Sequence, residues 1–430
     1  MTRVLIATVG SRGDVQPYVA LARGLRAAGH EPTIATCARF ESFVTANGIA
    51  FEPLSDDILR LLDSDAGRSA MEESHGALGA IRTNIALAKQ AGPINERLLR
   101  DVWRAAQIVE PGLVIYHPKA LAGPHVAEAL GVPAVEALPV PAVVPTGDFP
   151  VLGMPRLPFG SRYNRMTYSV VAAGYKQYEK TANRFRTDDL GLAPVKDAAM
   201  MTRMPDGTPI EVMHAISEQV LPRPADWPSH ARLTGYWFLD DDGAWTPPQN
   251  LVDFLDQGDP PVYVGFGSMA GRDPRKVTRE VVAALRQAGV RGVLASGWGG
   301  LDTADLPDTV LAISEAPHEW IFPRVSAVVH HGGAGTTAAG LRAGRPTVVC
   351  PFIVDQFFWG ARVADLGAGP SPVPQKGLTA DRLAAAISAA VTDPQIRSTA
   401  EGVGATINAE DGVAVAVEQI TATLARASRP

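Results

Sequence analysis

One stretch constrains the fold of this chain more than any other: Val328-Val-His-His-Gly-Gly-Ala-Gly-Thr-Thr-Ala-Ala-Gly340, followed by Asp355-Gln356. A β-branched run ending in two histidines, then glycines, then a Thr-Thr pair opening a helical pattern predicts a strand, a tight turn and a helix N-terminus. The unpaired N–H groups of such a helix end converge on one spot and carry about half a positive charge. Glycines in the turn let a phosphate approach the backbone. Gly333, Gly335, Thr336 and Thr337 are therefore candidate phosphate contacts. No lysine follows the glycines, so the turn is not a Walker-type P-loop. His330 and His331 project to opposite faces of an extended chain and do not readily share a metal. His330 is expected in the core, and His331 can donate an N–H to a phosphate oxygen. No metal site is expected.

The flanking sequence alternates strand-like and helix-like segments. Val4–Val9, Glu31–Thr36, Ile49–Leu54, Leu113–Tyr116 and Ala134–Ala137 read as strands. Val15–Ala28, with Pro17 in its first turn, Phe40–Ala46 and the stretch around Leu121–Leu130 read as helices. Such repeated β-α units predict an α/β fold with a parallel sheet and helices on both faces. Ala77–Val109 reads as helical with a break at Gly92-Pro93. Pro139–Pro158 and an aromatic-bearing long helix at Tyr163–Arg186 interrupt the rhythm; this excursion either lines a substrate pocket or is a plain packing element. Trp227–Asn250 is polar and proline-rich, as an interdomain connection is. The rhythm then restarts with strands at Val262–Phe266, Gly292–Ala295, Thr309–Ile313, Ala327–Val329 and Thr347–Cys350. The division expected is 1–225, a linker at 226–250, a second domain at 251–410, and a final helix at 411–430 packing back on the first domain. Two such domains leave a cleft, and open α/β sheets bind ligands beyond the carboxyl ends of their strands.

Composition excludes several classes of function. A chain of 430 residues is long enough for two or three domains. The net charge of −6, with no basic block, argues against a nucleic-acid partner. Cys37 and Cys350 fit buried small residues in a reducing cytoplasm. No uncharged run reaches the ~20 residues needed to span a bilayer. The expectation is a cytoplasmic protein without stable membrane insertion, a monomer or weak dimer.

Further candidates surround the predicted strand ends. Gly10-Ser-Arg-Gly-Asp-Val-Gln-Pro17 follows the first strand, and Asp14 within it is either a helix cap or a proton acceptor facing the ligand. His117 ends another strand near the same edge and could orient that base. Gly267 and Ser268 end the first strand of the second domain, where a backbone N–H could meet a phosphate. Trp298 and Trp320 sit on loops where an aromatic face could lie against a nucleobase, or simply pack. Gly333-Ala-Gly335-Thr-Thr-Ala338 with Asp355 about twenty residues on also fits a dinucleotide fingerprint. Against that reading, Asp355 follows Pro351 and begins a helix rather than ending a strand. An acid-amide pair such as Asp355-Gln356 suits sugar hydroxyls.

Together these stretches resemble the two-Rossmann-domain (GT-B fold) glycosyltransferases of the UDP-glycosyltransferase family, over nearly the whole chain. The marks are Gly10–Pro17, Gly265-Phe-Gly-Ser-Met269, Pro317-His-Glu-Trp-Ile-Phe-Pro323, His330–Thr337 and Asp355-Gln356. Sterol 3β-glucosyltransferases and actinobacterial antibiotic glycosyltransferases look most similar. The resemblance implies two Rossmann-like domains facing across a cleft and an inverting, metal-independent transfer. The sugar, glucose foremost, would pass from a UDP- or TDP-sugar to a hydroxyl of a large apolar acceptor such as a sterol, macrolide or polyketide. It implies no cofactor beyond the nucleotide-sugar co-substrate. Asp14, with its frame Gly13-Asp14-x-x-Pro17, takes the place of the plant enzymes' catalytic histidine, with burial raising its basicity. Ser11 and Arg12 flank the donor phosphates or the acceptor. Trp298, His318, His331, the Gly333–Thr337 turn and Gly267-Ser268 hold the donor, and Asp355 and Gln356 bind the sugar. The plant enzymes' ribose-gripping glutamate is replaced by Ala339, and their tryptophan opening the signature is missing, with Glu315 near its place. UDP and TDP therefore both stay open. The loops at 58–80 and 139–186 would shape the acceptor pocket. The rival readings are a nucleotide-sugar epimerase, a nicotinamide oxidoreductase and a non-enzymatic auxiliary protein.

Overall fold

Val4 to Ala7 of the first strand are fully buried, and alternate side chains serve different cores. Leu5 and Ala7 join one apolar cluster, Val4 and Ile6 another. Burial on both faces is what a central parallel strand requires, because helices cover each side. The computed structural model describes residues 1–63, 77–240, 245–267, 273–296 and 306–427, with backbone alone at 62–63 and 77–91.

The chain divides into two units. The first comprises Met1–Glu218, Pro222–Leu239 and Asp411 onward; the second comprises Gln219–Leu221 and Asp240–Glu410. The first unit is built on a seven-stranded sheet of β1 (Arg3–Ala7), β2 (Glu31–Cys37), β3 (Ala50–Leu54), β4 (Leu113–Tyr116), β5 (Ala134–Leu138), β6 (Glu211–His214) and β7 (Ala231–Leu233). Its order is β3-β2-β1-β4-β5-β6-β7, and every pairing is parallel. The second unit carries β8 (Val262–Gly265), β9 (Gly292–Ala295), β10 (Val310–Ile313), β11 (Ala327–His330) and β12 (Thr347–Val349). These run in the order β10-β9-β8-β11-β12, again all parallel. In each sheet the order reverses beside the first strand, so a switch point opens between β1 and β4 and another between β8 and β11.

Several local expectations need correction. The first helix begins at Arg12, so Pro17 falls in the second turn and withholds the N–H that would bond the Gly13 carbonyl. Ala77–Val109 runs unbroken through Pro93. The long helix expected at Tyr163–Arg186 is three short ones, Gly160–Thr167, Ser169–Lys176 and Glu179–Arg184, followed by a π-helical turn at Phe185–Asp189. The linker expected at 226–250 is not wholly irregular among its described residues. It contains β7, buried Trp227 and Trp237, and the start of the helix Gln249–Asp256. Its polar, proline-rich composition concealed a three-residue strand. The last helix, Gly412–Ala427, packs on the first helix, Arg12–Ala27, and buries Ala416 and Ile420 in the same cluster as Val15, Val19 and Leu25. Among the described residues no helix is long and apolar enough to cross a membrane.

Candidate active site

The register of the first sheet sets Ala7 opposite Tyr116, so the turns leaving β1 and β4 emerge side by side. The His117 N–H donates to the Ala7 carbonyl at 2.9 Å and fixes that juxtaposition. From the β1 turn comes Asp14, at the third position of the first helix rather than at its cap, which is Ser11. The Ser11 N–H and hydroxyl donate to Asp14 Oδ2 at 2.8 and 3.1 Å, a reach-back that satisfies an otherwise orphaned helix-end donor. Gly10 makes room for this. Its φ is +146°, and any Cβ there would overlap the Asp14 carboxylate.

The other carboxylate oxygen meets two groups from the β4 turn. Lys119 Nζ donates to Asp14 Oδ1 at 2.9 Å, and His117 Nε2 lies 3.6 Å from it. His117 Nδ1 accepts the Lys119 N–H at 3.0 Å, so the ring proton belongs on Nε2, facing Asp14. Burial and the nearby lysine push the His117 pKa down to about 3, so the ring is neutral near neutrality. Burial acts to raise the Asp14 carboxyl, but Lys119, His117 and the Ser11 N–H outweigh it and hold it below its ordinary value. This corrects the expectation that burial makes Asp14 more basic: it is a clamped, ionised carboxylate. Lys119 was not anticipated, and nothing in the sequence marks it, since its role comes only from register. Arg12 bonds Gln16 at 3.1 Å, and its guanidinium lies 4.8 Å above the Phe43 ring.

In the second unit His330 pairs with Gly265, bringing the ends of β8 and β11 together. His330 is wholly buried and its Nδ1 accepts the Gly332 N–H at 2.9 Å, the core role expected of it. His331 turns the other way. A methyl group at Gly333 would come within 2.7 Å of its Nε2, and one at Gly267 within 3.7 Å of its ring. Burial brings its pKa down to about 4, so it presents a neutral imidazole. Gly332 has φ +95°, and a Cβ there would press on Val349 at 2.6 Å and the Gln356 carbonyl at 3.0 Å. The turn is thus locked against the strand and helix behind it. Gly333 caps the helix Ala334–Arg342, whose first-turn N–H groups have no partners within the helix. A Cβ at Gly335 would meet open space, so nothing in the protein demands glycine there.

Two of the anticipated contacts are committed elsewhere. Thr337 is fully buried, and its hydroxyl donates to the Gly333 carbonyl at 2.9 Å, which leaves Thr336 as the threonine at the turn surface. Gln356 is buried too, and its side-chain oxygen accepts the Phe352 and Ile353 N–H groups at 2.7 and 3.1 Å, shaping the loop ahead of Asp355. Asp355 is half-buried at the first position of the helix Asp355–Leu366, well past the end of β12, unlike the acid of a dinucleotide fingerprint. Immediately before it, β-branched Val354 holds φ at +34°, a strained conformation of the kind that clusters at ligand sites. His318 opens the helix His318–Ile321 and stacks on Phe322 with centroids 4.4 Å apart. Trp320 packs against Trp245 and beneath Arg324. Ser268, Trp298 and residues 64–76 of the expected acceptor loop lie outside the described residues.

Residues 4–144 match the family model described as the glycosyltransferase family 28 N-terminal domain, and residues 293–422 that of the erythromycin biosynthesis protein CIII-like C-terminal domain. The sterol 3-beta-glucosyltransferase of Neosartorya fischeri is 38% identical over 97% of this chain; the chain spans only 29% of that relative's length. Among solved structures, the glycotransferase of kitacinnamycin superposes with a TM-score of 0.70 at 20% identity, covering 98% of this chain and 99% of the other. Glycosyltransferase VinC, crystallised in complex with DTDP, gives a TM-score of 0.68 at 20% identity, covering 99% of this chain and all of the other. With its two parallel-sheet units and these likenesses over nearly its whole length, the chain has the GT-B fold of these glycosyltransferases.

Proposed function

We propose that this protein transfers glucose from a UDP- or TDP-sugar to a hydroxyl of a large apolar acceptor of the sterol or polyketide kind, with inversion at the anomeric carbon and without a metal. The observation that carries this reading is the clamped Asp14 carboxylate at the first switch point. One of its oxygens is held by Ser11; the other faces a lysine and a neutral histidine. The side chain of Lys119 is half-exposed and can give way to an acceptor hydroxyl. That hydroxyl attacks the anomeric carbon and passes its proton to Asp14 Oδ1. Because an ionised carboxylate is a weak base towards an alcohol, proton transfer runs late, as the new bond forms.

The diphosphate leaving the sugar gains charge in that transition state. The helix end at Gly333–Thr336 and the His331 imidazole supply fixed donors for it, which favour the transition state over the bound donor. Asp355 would take sugar hydroxyls, while Gln356 holds the loop that presents it. Support for the acceptor class comes from the fungal relative named as a sterol glucosyltransferase, and for the nucleotide from the DTDP complex of VinC. The experiment is incubation with UDP- and TDP-sugars and a panel of apolar alcohols, with and without a chelator, reading product masses. A glycoside formed undiminished in chelator supports the reading; interconversion of sugar nucleotides with no glycoside defeats it.

A further inference from the structure

The first unit holds a cavity of about 170 Å³ that the reaction above does not use. Tyr116, Glu136 and Val212 stand in register on adjacent strands and form part of its wall, facing Tyr175 and the Ala199–Thr202 segment. Its lining is predominantly apolar, and Glu136 brings the one carboxyl. That acid sits in the middle of an otherwise apolar strand, Ala134-Val-Glu-Ala-Leu138. Burial alone, with no cation or hydrogen bond to offset it, pushes the Glu136 pKa up to about 7. The titratable groups that share the cavity are the Tyr116 and Tyr175 hydroxyls, both shifted upwards chiefly by burial, and His230, shifted downwards chiefly by burial. None of these is a cation near neutrality. A carboxyl left without a partner in an apolar cavity asks for one from outside the protein.

The cavity adjoins the reaction centre through a single segment. Tyr116 and Pro118 line it, while His117 and Lys119, alternating with them, face Asp14. Its volume is close to the ~150 Å³ that encloses one benzene-sized ring, so it accommodates one end of a large molecule and not the whole. We infer that this cavity receives the far, apolar end of the acceptor and that Glu136 selects acceptors bearing a second hydroxyl at that end. The inference rests on the acceptor reading proposed above. It assigns Glu136 to specificity and gives it no part in the proton transfer at Asp14.

A matched pair of probes tests it: cholesterol and 25-hydroxycholesterol, which differ by one hydroxyl at the tail. Binding of each is titrated with the unaltered protein, Glu136→Gln and Glu136→Leu. The unaltered protein should bind the tail-hydroxylated sterol about tenfold more tightly, the worth of one buried hydrogen bond. Glu136→Leu should abolish that preference, and Glu136→Gln should keep most of it. Between pH 6 and 8 the preference should widen in the unaltered protein and stay flat in Glu136→Gln. An ionised carboxylate accepts from a hydroxyl but is stripped of water by a methyl group. Equal binding of the two sterols, binding of neither, or a preference that survives in Glu136→Leu would overturn the inference. Glucose transfer from UDP-glucose is followed in parallel. Transfer without a Glu136-dependent preference leaves the proposed reaction standing and removes this inference. The preference without transfer does the reverse.

Discussion

Acidification should weaken the first unit before most of its carboxylates are protonated, because three histidines are buried there in neutral form. His117, His125 and His214 are each at most 5% exposed, and burial, the largest cause in each, lowers their pKa values to about 3, 4 and 4. In the unfolded chain each returns to about 6.5. Between pH 6.5 and 4 the unfolded state therefore binds protons that the folded state refuses, so stability falls as pH falls. Going from pH 7.5 to 5.0, each histidine removes about 2 kcal/mol, or about 6 for the three. Glu136 acts in the opposite sense. Its folded pKa of about 7 means that the native state takes up a proton first, which restores about 2–3 kcal/mol over the same interval. The net loss is about 3–4 kcal/mol, a large fraction of the ~5–15 kcal/mol that holds a domain folded. Urea unfolding at pH 7.5 and 5.0, followed by hydrogen–deuterium exchange in peptides from β1 and β4, measures this for the first unit alone. Glu136→Gln, lacking the compensating proton, should lose about 6 kcal/mol instead. Stability that holds level or rises between pH 7.5 and 5.0 would refute the reasoning.

Asp14→Asn should lower turnover by about 10²- to 10⁴-fold while UDP binding is largely kept, as steady-state kinetics and calorimetric titration would report. Turnover like that of the unaltered protein would remove Asp14 from the reaction. His331→Ala should weaken binding of UDP by about 10- to 100-fold, the worth of a hydrogen bond to a charged group, and unchanged affinity would mean the diphosphate lies elsewhere. Gly332→Ala combines a left-handed backbone with a clash against Val349, and should destabilise the second unit by about 2–4 kcal/mol in a thermal melt. A melting temperature unaltered by that change would show that the turn yields easily.

How far the sequence could be read depended on the range of the interactions. The fully apolar strands Val4–Ala7 and Val262–Gly265 announce themselves because both faces of a central parallel strand must be buried. Strands β6 and β7, at the end of the first sheet, escape notice because Glu211 and His214 in one and Arg232 in the other break the apolar run, and their place comes from pairing rather than pattern. The proximity of Asp14 and His117 follows from the strand order alone. Lys119 does not, because its lysine reaches Asp14 from a loop two residues past His117. Thr337 and Gln356 carry the right chemistry for a ligand, yet both satisfy backbone groups nearby. Local competition of that kind leaves no trace in residue type. Glu136 does leave one: a lone acid in the apolar run Ala134–Leu138 is a polar group that must be explained.

The route of the chain between its units has a consequence for its synthesis. The first helix presents Gly24 to Val413, and a side chain at Gly24 would collide there; the seat is shaped for residues translated only after all of 240–410. While the intervening unit is being made on the ribosome, Val15, Val19 and Leu25 lack the cover of Ala416 and Ile420, and the helix bearing Asp14 stands with one greasy flank uncovered. The nascent first unit should therefore stay less stable until residues 411–427 emerge. Supplying residues 411–427 in trans to a chain stopped at Glu410 should rescue it.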